Sequence, residues 1–296
     1  MASSVRSAGR VLLFGTAVLA GGCRGVPQIP ETPFEHLAEA REIAATMRVE
    51  MAKAAEASDQ AVMADTDEAS IAFARQAVQA KDNVQGGAVA LAPLLQRLNM
   101  PQEVQSLEDF RTRFGEYAKV DRGVLELAVE NTNLKAQRLS FGPVREAADA
   151  FRDALANATR DVPEKNRCRA DRLVTDAVLA VREIQILQAP HIAEAEDAAM
   201  ERLEKQMAER EASARAALTS LAALVSGGEG RLAPAREAFA RFSTSSRQVL
   251  QLSRRNSNVR SLDIALHQKP ALTAACDSSL AALVNALARA GSNATK

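Results

Sequence analysis

The stretch LEDFRTRFGEYAKVDRGVLELAVENTNL, residues 107–134, recurs 125 positions later as LAPAREAFARFSTSSRQVLQLSRRNSNV, residues 232–259. The two segments align without a gap, with Phe114 on Phe239, Asn131 on Asn256 and Asn133 on Asn258. The units of a solenoid are shorter, about 20–50 residues. The repeat therefore predicts two copies of one domain.

Composition and periodicity predict an all-α fold. Aromatic residues make up 3% of the chain, and Ala, Leu, Glu and Arg recur at helical spacing. Short connections favour antiparallel neighbours, so we expect two tandem antiparallel up-down four-helix bundles stacked lengthwise, at residues 34–161 and 162–296. In the first copy we expect a helix at 34–63, a second that follows the capping pair Asp65 and Glu68 and runs to about 98, a third at 101–140, and a fourth that begins near Pro143 after a turn at Gly142–Pro143. In the second copy they are 163–188, 191–226, 230–265 and 270–290.

Two Asn-x-Asn phrases, Asn131/Asn133 and Asn256/Asn258, lie inside the helical pattern of the third helix of each copy. Asparagine disfavours helix interiors because its side chain competes for nearby backbone groups. Asn131 follows the apolar seam of its helix at spacings of three, four or seven, which places it on or beside the core. Two interpretations follow: a polar layer that fixes the helix register, or a pair of ligand contacts.

The N-terminus has the pattern of a signal peptide, residues 1–22. Arg6 and Arg10 precede the apolar run VLLFGTAVLA, and GGC then ends at Cys23. The small residues before this cysteine resemble the lipobox of bacterial lipoproteins, although Ala20 stands where Leu, Val or Ile is usual. That resemblance implies lipidation of Cys23; secretion with a free thiol and an uncleaved anchor are the alternatives.

Residues 23–33 carry three prolines and predict a stiff, extended tether. Arg24 follows the cysteine, and by resemblance to proteobacterial sorting this implies an outer-membrane anchor that faces the periplasm. We expect no other segment of the chain to span a membrane. The formal net charge is zero, so composition gives no reason to expect a nucleic-acid partner.

The segment FGEYAKVDRGVLELAVENTNLKAQRLSFGPVREAADAFRDAL, residues 114–155, resembles the third and fourth helices of four-helix-bundle sensor domains from bacterial methyl-accepting chemotaxis proteins. Those helices commonly end in N-x-x-A-x-x-L, matched here by Asn133, Ala136 and Leu139. LQAPHIAEAEDAAMERLEKQM, residues 187–207, is similar to the junction of helices one and two in related sensors. The resemblance implies ligand binding and a homodimer, but we expect no counterpart here of a receptor's transmembrane and kinase-control parts.

Three functional hypotheses follow. The first is a lipid-anchored, periplasm-facing module that binds a small-molecule ligand. The second is a structural or interaction lipoprotein of the envelope, with a protein partner and no small-molecule ligand. The third, an enzyme, lacks a titratable cluster in the sequence, so we expect no catalytic residue, no metal site and no cofactor. Arg247, Arg254 and Arg255 are candidates to hold a carboxylate or phosphate, or they form a solvated or inter-bundle charged face.

Cys168 and Cys276 are expected to be small buried helix residues rather than a disulfide. Cys168 falls early in the first helix of the second copy and Cys276 early in the fourth, and these helices are expected to run antiparallel. That arrangement separates the thiols by about 20 Å at 1.5 Å per residue, beyond the reach of a disulfide.

Overall fold

The computed structural model describes residues 32–294, with side chains as far as Gly291, and every regular element in that range is helical. The all-α prediction is confirmed. The predicted signal peptide, Cys23 and most of the tether lie outside the described residues. The helices are α1 Pro33–Met63, α2 Asp67–Arg97, α3 Pro101–Glu130, α4 Thr132–Leu139, α5 Arg145–Thr159, α6 Glu164–Ala193, α7 Asp197–Ala222, α8 Gly228–Arg255, α9 Ser257–His267 and α10 Lys269–Ala294.

The connections at either end of α2 follow from local sequence. The Thr66 hydroxyl caps α2 by accepting a hydrogen bond from the Ala69 N–H at 3.1 Å. The cap is therefore not the predicted pair at residues 65 and 68, because Thr66 holds the extended backbone (φ −133°, ψ 153°) that an N-cap needs. Asn99 then turns the chain with φ 54°, and Pro101 begins α3 as predicted.

The third helix of each copy is interrupted where we predicted continuity. Asn131 separates α3 from α4 and Asn256 separates α8 from α9, both in the left-handed conformation with φ of 48° and 53°. Conversely, no turn occurs at Gly142–Pro143. A π-helical turn, Ser140–Val144, connects α4 directly to α5, and its wider spacing accommodates a proline that has no N–H to donate.

The fourth helix of each copy packs against the helices of the other copy. α10 lies against α1 and α3, while α5 lies against α6 and α8. Arg48 of α1 bonds Asp277 of α10 at 2.8 Å, and Arg182 of α6 bonds Asp149 of α5. The helices thus form two groups: α1, α2, α3 with α9–α10, and α6, α7, α8 with α4–α5. These groups do not follow the predicted boundaries at 34–161 and 162–296.

The connection between helices explains this exchange. A chain that folds back on itself needs a loop of several residues between antiparallel helices. Only Asn131 separates α3 from α4, and α4 leads through the π-helical turn into α5. The fourth helix therefore leaves its own copy, and the same holds for α9 and α10 after Asn256.

Each of the two main cores draws apolar side chains from both copies. One contains Phe110, Tyr117 and Leu91 from the first copy together with Leu280 and Leu283 of α10. The other packs Phe151 of α5 against Phe239 of α8, with ring centroids 5.4 Å apart. Full burial of a leucine or phenylalanine contributes about 1.5–3 kcal/mol. The exchanged helices are therefore integral parts of the cores.

Among the described helices, α10 is long and apolar enough to cross a membrane over Lys269–Gly291, with a mean hydropathy of 1.4. This corrects the expectation that no segment after the N-terminal run has that character. Its buried leucines face α1 and α3, so the role of a core helix accounts for part of its apolar composition.

Both described cysteines are free. Cys276 is buried between α10 and α3, and burial raises the pKa of its thiol to about 11. Cys168 is exposed on α6, which corrects its expected burial. The two thiols lie on helices of different groups.

Candidate functional site

The four predicted asparagines come together where the two copies meet. The backbone N–H of Asn133 donates to Oδ1 of Asn258 at 3.2 Å, and the N–H of Asn258 donates to Oδ1 of Asn133 at 3.2 Å. One residue earlier, Thr132 and Ser257 exchange the same bonds: each N–H reaches the other hydroxyl, at 3.1 and 3.0 Å. The four partners are related by a near two-fold symmetry.

These bonds cap two helices reciprocally. The first N–H groups of α4 and α9 have no partner within their own helices, and a side chain from the other copy satisfies them. The junction is further fixed by Asn258 Nδ2 to Asn131 Oδ1 at 2.8 Å and Asn133 Nδ2 to Asn256 Oδ1 at 2.7 Å. The asparagines bond one another instead of lining a cavity, which favours a structural role over ligand contact.

The end of α6 and the residue that follows it accept hydrogen bonds from this junction. Asn133 Nδ2 donates to the Ile192 carbonyl at 2.6 Å, and Asn256 Nδ2 donates to the Glu194 carbonyl at 2.8 Å. Asn131 Nδ2, by contrast, is buried and has no hydrogen-bond partner among the described residues. The hydrogen bonds that cap α4 and α9 are thus symmetric between the two copies. The hydrogen bonds to residues outside the junction are not.

Two of the three candidate arginines are occupied by carboxylates. Arg254 binds Glu204 through two hydrogen bonds, at 2.7 and 2.9 Å, and Glu204 also contacts Nε2 of the fully buried His191 at 2.9 Å. The hydrogen bond from Arg254 holds the pKa of Glu204 below its ordinary value. Arg255 forms a similar pair with Glu130, with one bond at 2.8 Å, and so joins the ends of α8 and α3.

Arg247 lies apart, in a small cleft between α7 and α8. The cleft has a volume of about 170 Å³, and the residues that line it include Arg215, Arg236 and Arg247 but no Asp or Glu. The sole hydrogen bond of Arg247 within the described chain goes to Thr244 Oγ1 at 3.4 Å. A cleft lined by three arginines and no acidic residue favours an anion.

The residues that line this cleft also include a buried serine, Ser243. Ser243 is 3% exposed, and its Oγ has no hydrogen-bond partner among the described residues. A buried hydroxyl without a partner costs about 1–3 kcal/mol, and such groups are rare in native proteins. We define the arginine cleft as Arg215, Arg236, Ser243 and Arg247.

The walls of the arginine cleft fix its side chains. Arg215 lies over the Phe239 ring at 5.1 Å from the centroid and pairs with Glu211 on its own helix. Arg236 pairs with Glu229 at 2.6 Å, outside the cleft lining. The cleft is thus partly preorganised, and Arg247 retains the most free donors. The sequence indicated Arg247 but not Arg215 or Arg236, because the cleft forms only when α7 packs beside α8.

A second group of buried charges, not predicted from the sequence, lies between α1, α2, α3 and α10. Lys81 of α2 bonds Asp121 of α3, which is fully buried. Lys269 of α10 bonds Ser58 at 3.0 Å and also Asp59, and it lies 3.9 Å from Asp121. This arrangement neutralises the buried lysines and joins α10 to the first copy. The mixed apolar and charged residues around position 81 gave no sign that its lysine points inward.

The described residues contain no group of three or more His, Cys, Asp or Glu side chains arranged to hold a metal ion. No protein-family model matches the chain, and no curated protein matches it in sequence. Evidence for a function therefore comes from the arrangement of the chain's own side chains, chiefly in the arginine cleft.

Proposed function

We propose that this chain is a ligand-binding module without catalytic activity, which takes a small anion, a carboxylate or a phosphate, in the arginine cleft. The observation that carries the proposal is the buried, unpartnered hydroxyl of Ser243 beside the free donors of Arg247. A hydroxyl donor and a guanidinium fork from two residues that line the same cleft match the oxygens of such an anion. The volume of about 170 Å³ limits the bound group to a few heavy atoms.

The proposed setting is the cell envelope. In this proposal the thiol of Cys23 carries the lipid, and the helical part faces the periplasm beyond the proline tether. The resemblance to chemoreceptor sensor domains supports binding as the task. Labelling with a radioactive fatty acid tests the anchor: the wild type should incorporate the label, and Cys23→Ser should not.

Calorimetry on the full chain, purified in detergent, tests the binding proposal. Inorganic phosphate, acetate, succinate and citrate are titrated separately at constant ionic strength. We expect binding by one of these anions, weakened about tenfold or more in Arg247→Gln and Ser243→Ala, because each variant removes a hydrogen bond to a charged group worth about 1.5–3 kcal/mol.

Arg241→Gln is the matched control. Arg241 lies on the same helix, is exposed and pairs with Glu237 outside the cleft, so its replacement should leave the affinity within about twofold. The absence of heat with every anion, or an equal loss in Arg241→Gln, would contradict the proposal. Those results would favour the alternative, an interaction protein of the envelope without a small-molecule ligand.

A further inference from the structure

His191 is a fully buried, titratable side chain outside the arginine cleft. It lies near the end of α6, and its ring contacts two other helices. Nδ1 lies 2.8 Å from Ser253 Oγ of α8, and Nε2 lies 2.9 Å from Glu204 Oε1 of α7. Ser253 Oγ also donates to the backbone carbonyl of His191 at 2.8 Å. This one side chain therefore joins α6, α7 and α8.

Serine, imidazole and carboxylate groups in contact are also found in hydrolytic triads. A substrate must be able to reach the nucleophile of such a triad, but Ser253 is fully buried and its hydroxyl donates to a carbonyl. In the first copy, Ala128 and Val129 occupy the positions equivalent to Ser253 and Arg254. The fold that the two copies share does not require this set of contacts, so the set has a role specific to the second copy.

The three contacts around His191 require three hydrogen atoms. The ionised carboxylate of Glu204 can only accept, and the hydrogen bonds from Arg254 hold its pKa below the ordinary value. The Ser253 hydroxyl supplies one hydrogen to the His191 carbonyl, which is among the last four of α6 and has no partner within that helix. A neutral imidazole supplies one more hydrogen, whereas an imidazolium supplies two. The doubly protonated ring is thus the state that provides a hydrogen for every contact.

The charged side chains around the ring and its partners favour a cation at this position. Four carboxylates surround it with two guanidinium groups: Glu194 at the end of α6, Asp197, Glu201, Arg202 and Glu204 on α7, and Arg254 on α8. The α4 side contributes the neutral amide of Asn133, which bonds the Ile192 carbonyl at 2.6 Å. A nearby excess of negative charge favours the charged form of an imidazole, and direct contact with Glu204 offsets the cost of burying that charge.

We propose that His191 is a pH-sensitive switch: its imidazolium holds the end of α6 against α7 and α8, and the loss of one ring proton at alkaline pH releases it. The same end of the helix provides the carbonyls of Ile192 and Glu194, which accept hydrogen bonds from Asn133 and Asn256. When the ring loses a proton, one of its contacts lacks a hydrogen and a buried polar atom is left without a partner. The bonds to the two asparagines then weaken as well.

The sign of this effect is opposite to that of a carboxylate. A contribution that needs a protonated imidazole is complete at acid pH and is lost as the pH rises. An imidazole in an unfolded chain loses its proton near about pH 6.5, and a glutamate near about pH 4.3. Measurements from about pH 6 to about pH 9 therefore cover the change at His191 and avoid protonation of Glu204.

Nuclear magnetic resonance of the full chain, purified in detergent and labelled with nitrogen-15, tests the charge of the ring. The ring signals of His191 are assigned by their absence in His191→Gln. At neutral pH both ring nitrogens should have the chemical shifts of N–H groups, and one should lose its proton as the pH rises. The backbone amides of residues 192–196 should shift with the same midpoint, and they should stay fixed in His191→Gln. An unprotonated ring nitrogen at neutral pH would overturn the proposal, as would amide signals that do not follow the ring.

Urea unfolding supplies the second arm. His191→Gln retains an amide that can donate to Glu204 but does not titrate. The advantage of the wild type over this variant in the unfolding equilibrium constant should fall roughly tenfold between about pH 6 and about pH 9. His267→Gln is the matched control, because the His267 side chain is 70% exposed and contacts Asp263 within α9, and its difference from the wild type should stay nearly constant. A difference for His191→Gln that does not change with pH would rule out the switch.

Discussion

Asn131 and Asn256 each combine two properties at one position. Their left-handed backbone, with φ of 48° and 53°, ends one helix and begins the next. Their side-chain oxygens also accept hydrogen bonds from the asparagine amides of the opposite copy. Asparagine is the non-glycine residue that adopts this conformation most readily, because its short side chain bonds locally. The recurrence of Asn-x-Asn therefore reflects a backbone requirement together with a reciprocal bond.

Substitutions at Asn131 separate the two contributions. Asn131→Gly keeps the left-handed backbone but loses the bond to Asn258, whereas Asn131→Ala loses the bond and adds a left-handed strain of about 1–2 kcal/mol. Both should lower the melting temperature measured by circular dichroism, with alanine the more destabilising by about that amount. Asn99, also at φ 54° but exposed in a turn, is the control: Asn99→Gly should change stability little. Equal effects of Gly and Ala at 131 would contradict the role of backbone strain.

Glu204 links stability to pH. Its folded-state pKa is lowered, first by the hydrogen bond from Arg254 and then, against the opposing effect of burial, by the contact with His191. A depressed carboxylate pKa contributes stability that is fully present above the unfolded value, about 4.3, and is lost as the pH falls through the folded value. The wild type should therefore exceed Glu204→Gln in stability near neutral pH, and the difference should narrow below about pH 4.3.

Urea unfolding between neutral and acid pH measures this difference. Glu209→Gln is the control, because Glu209 is exposed on the same helix and forms no ion pair within the described residues. Its stability should follow the wild type at every pH. A difference between wild type and Glu204→Gln that stays constant into the acid range would show that the Glu204 carboxylate is not the linked group.

At the scale of elements, the sequence predicted the positions of most helices, which depend on local pattern. It did not predict which copy each fourth helix packs against. The helices, the start at Pro101 and the alignment of the asparagine phrases follow from periodicity, proline geometry and repetition. The exchange of the fourth helices does not, because Leu155 of α5 and Leu280 of α10 are equivalent in the repeat, and an apolar pattern alone does not specify which three helices it packs against. The one-residue link at Asn131 and the π-helical turn determine which three helices α5 packs against. Both of these features depend on tertiary contacts.

Likewise, only one residue of the arginine cleft, Arg247, was predicted from the sequence. Arg247 and Arg254 were predicted together as candidates to hold an anion, yet the two side chains have different partners. Arg254 forms an ion pair with Glu204, which belongs to another helix and lies 50 positions away in the sequence. Arg215 joins Arg247 only through the packing of α7 on α8. The sequence of a single helix does not predict which side chains of other helices will contact it.

Paired substitutions in the fourth helices test the exchange element by element. Leu280 of α10 and Leu155 of α5 are equivalent in the repeat and both are fully buried, in different cores. Each change to alanine should cost about 2–5 kcal/mol through lost contacts and a residual cavity. Amide hydrogen exchange should rise first in α1 and α3 for Leu280→Ala, and in α6 and α8 for Leu155→Ala. The opposite assignment would mean that each copy closes on its own helix.

At the scale of the whole molecule, the exchange makes each half of the chain dependent on the other. Within the structure, the first half contributes three helices to one core and α4–α5 to the second, and the second half does the reverse. The cores thus share the junction at the asparagines. Such mutual completion predicts that the two halves fold together, as one cooperative unit, rather than as independent domains.

A cleavable chain tests this dependence. A protease site inserted at Arg160–Asp161, in the exposed connection between α5 and α6, cuts the chain between its copies. The cut halves should stay together during gel filtration in native buffer, because each core still contains helices from both. Separated in guanidinium and refolded alone, neither half should unfold cooperatively as a monomer, since its fourth helix cannot return across a one-residue link. Mixing them should restore the wild-type melting curve. Two monomeric halves that each melt cooperatively would show instead that every copy closes its own bundle, and the reciprocal caps at Asn133 and Asn258 would then lose their structural rationale.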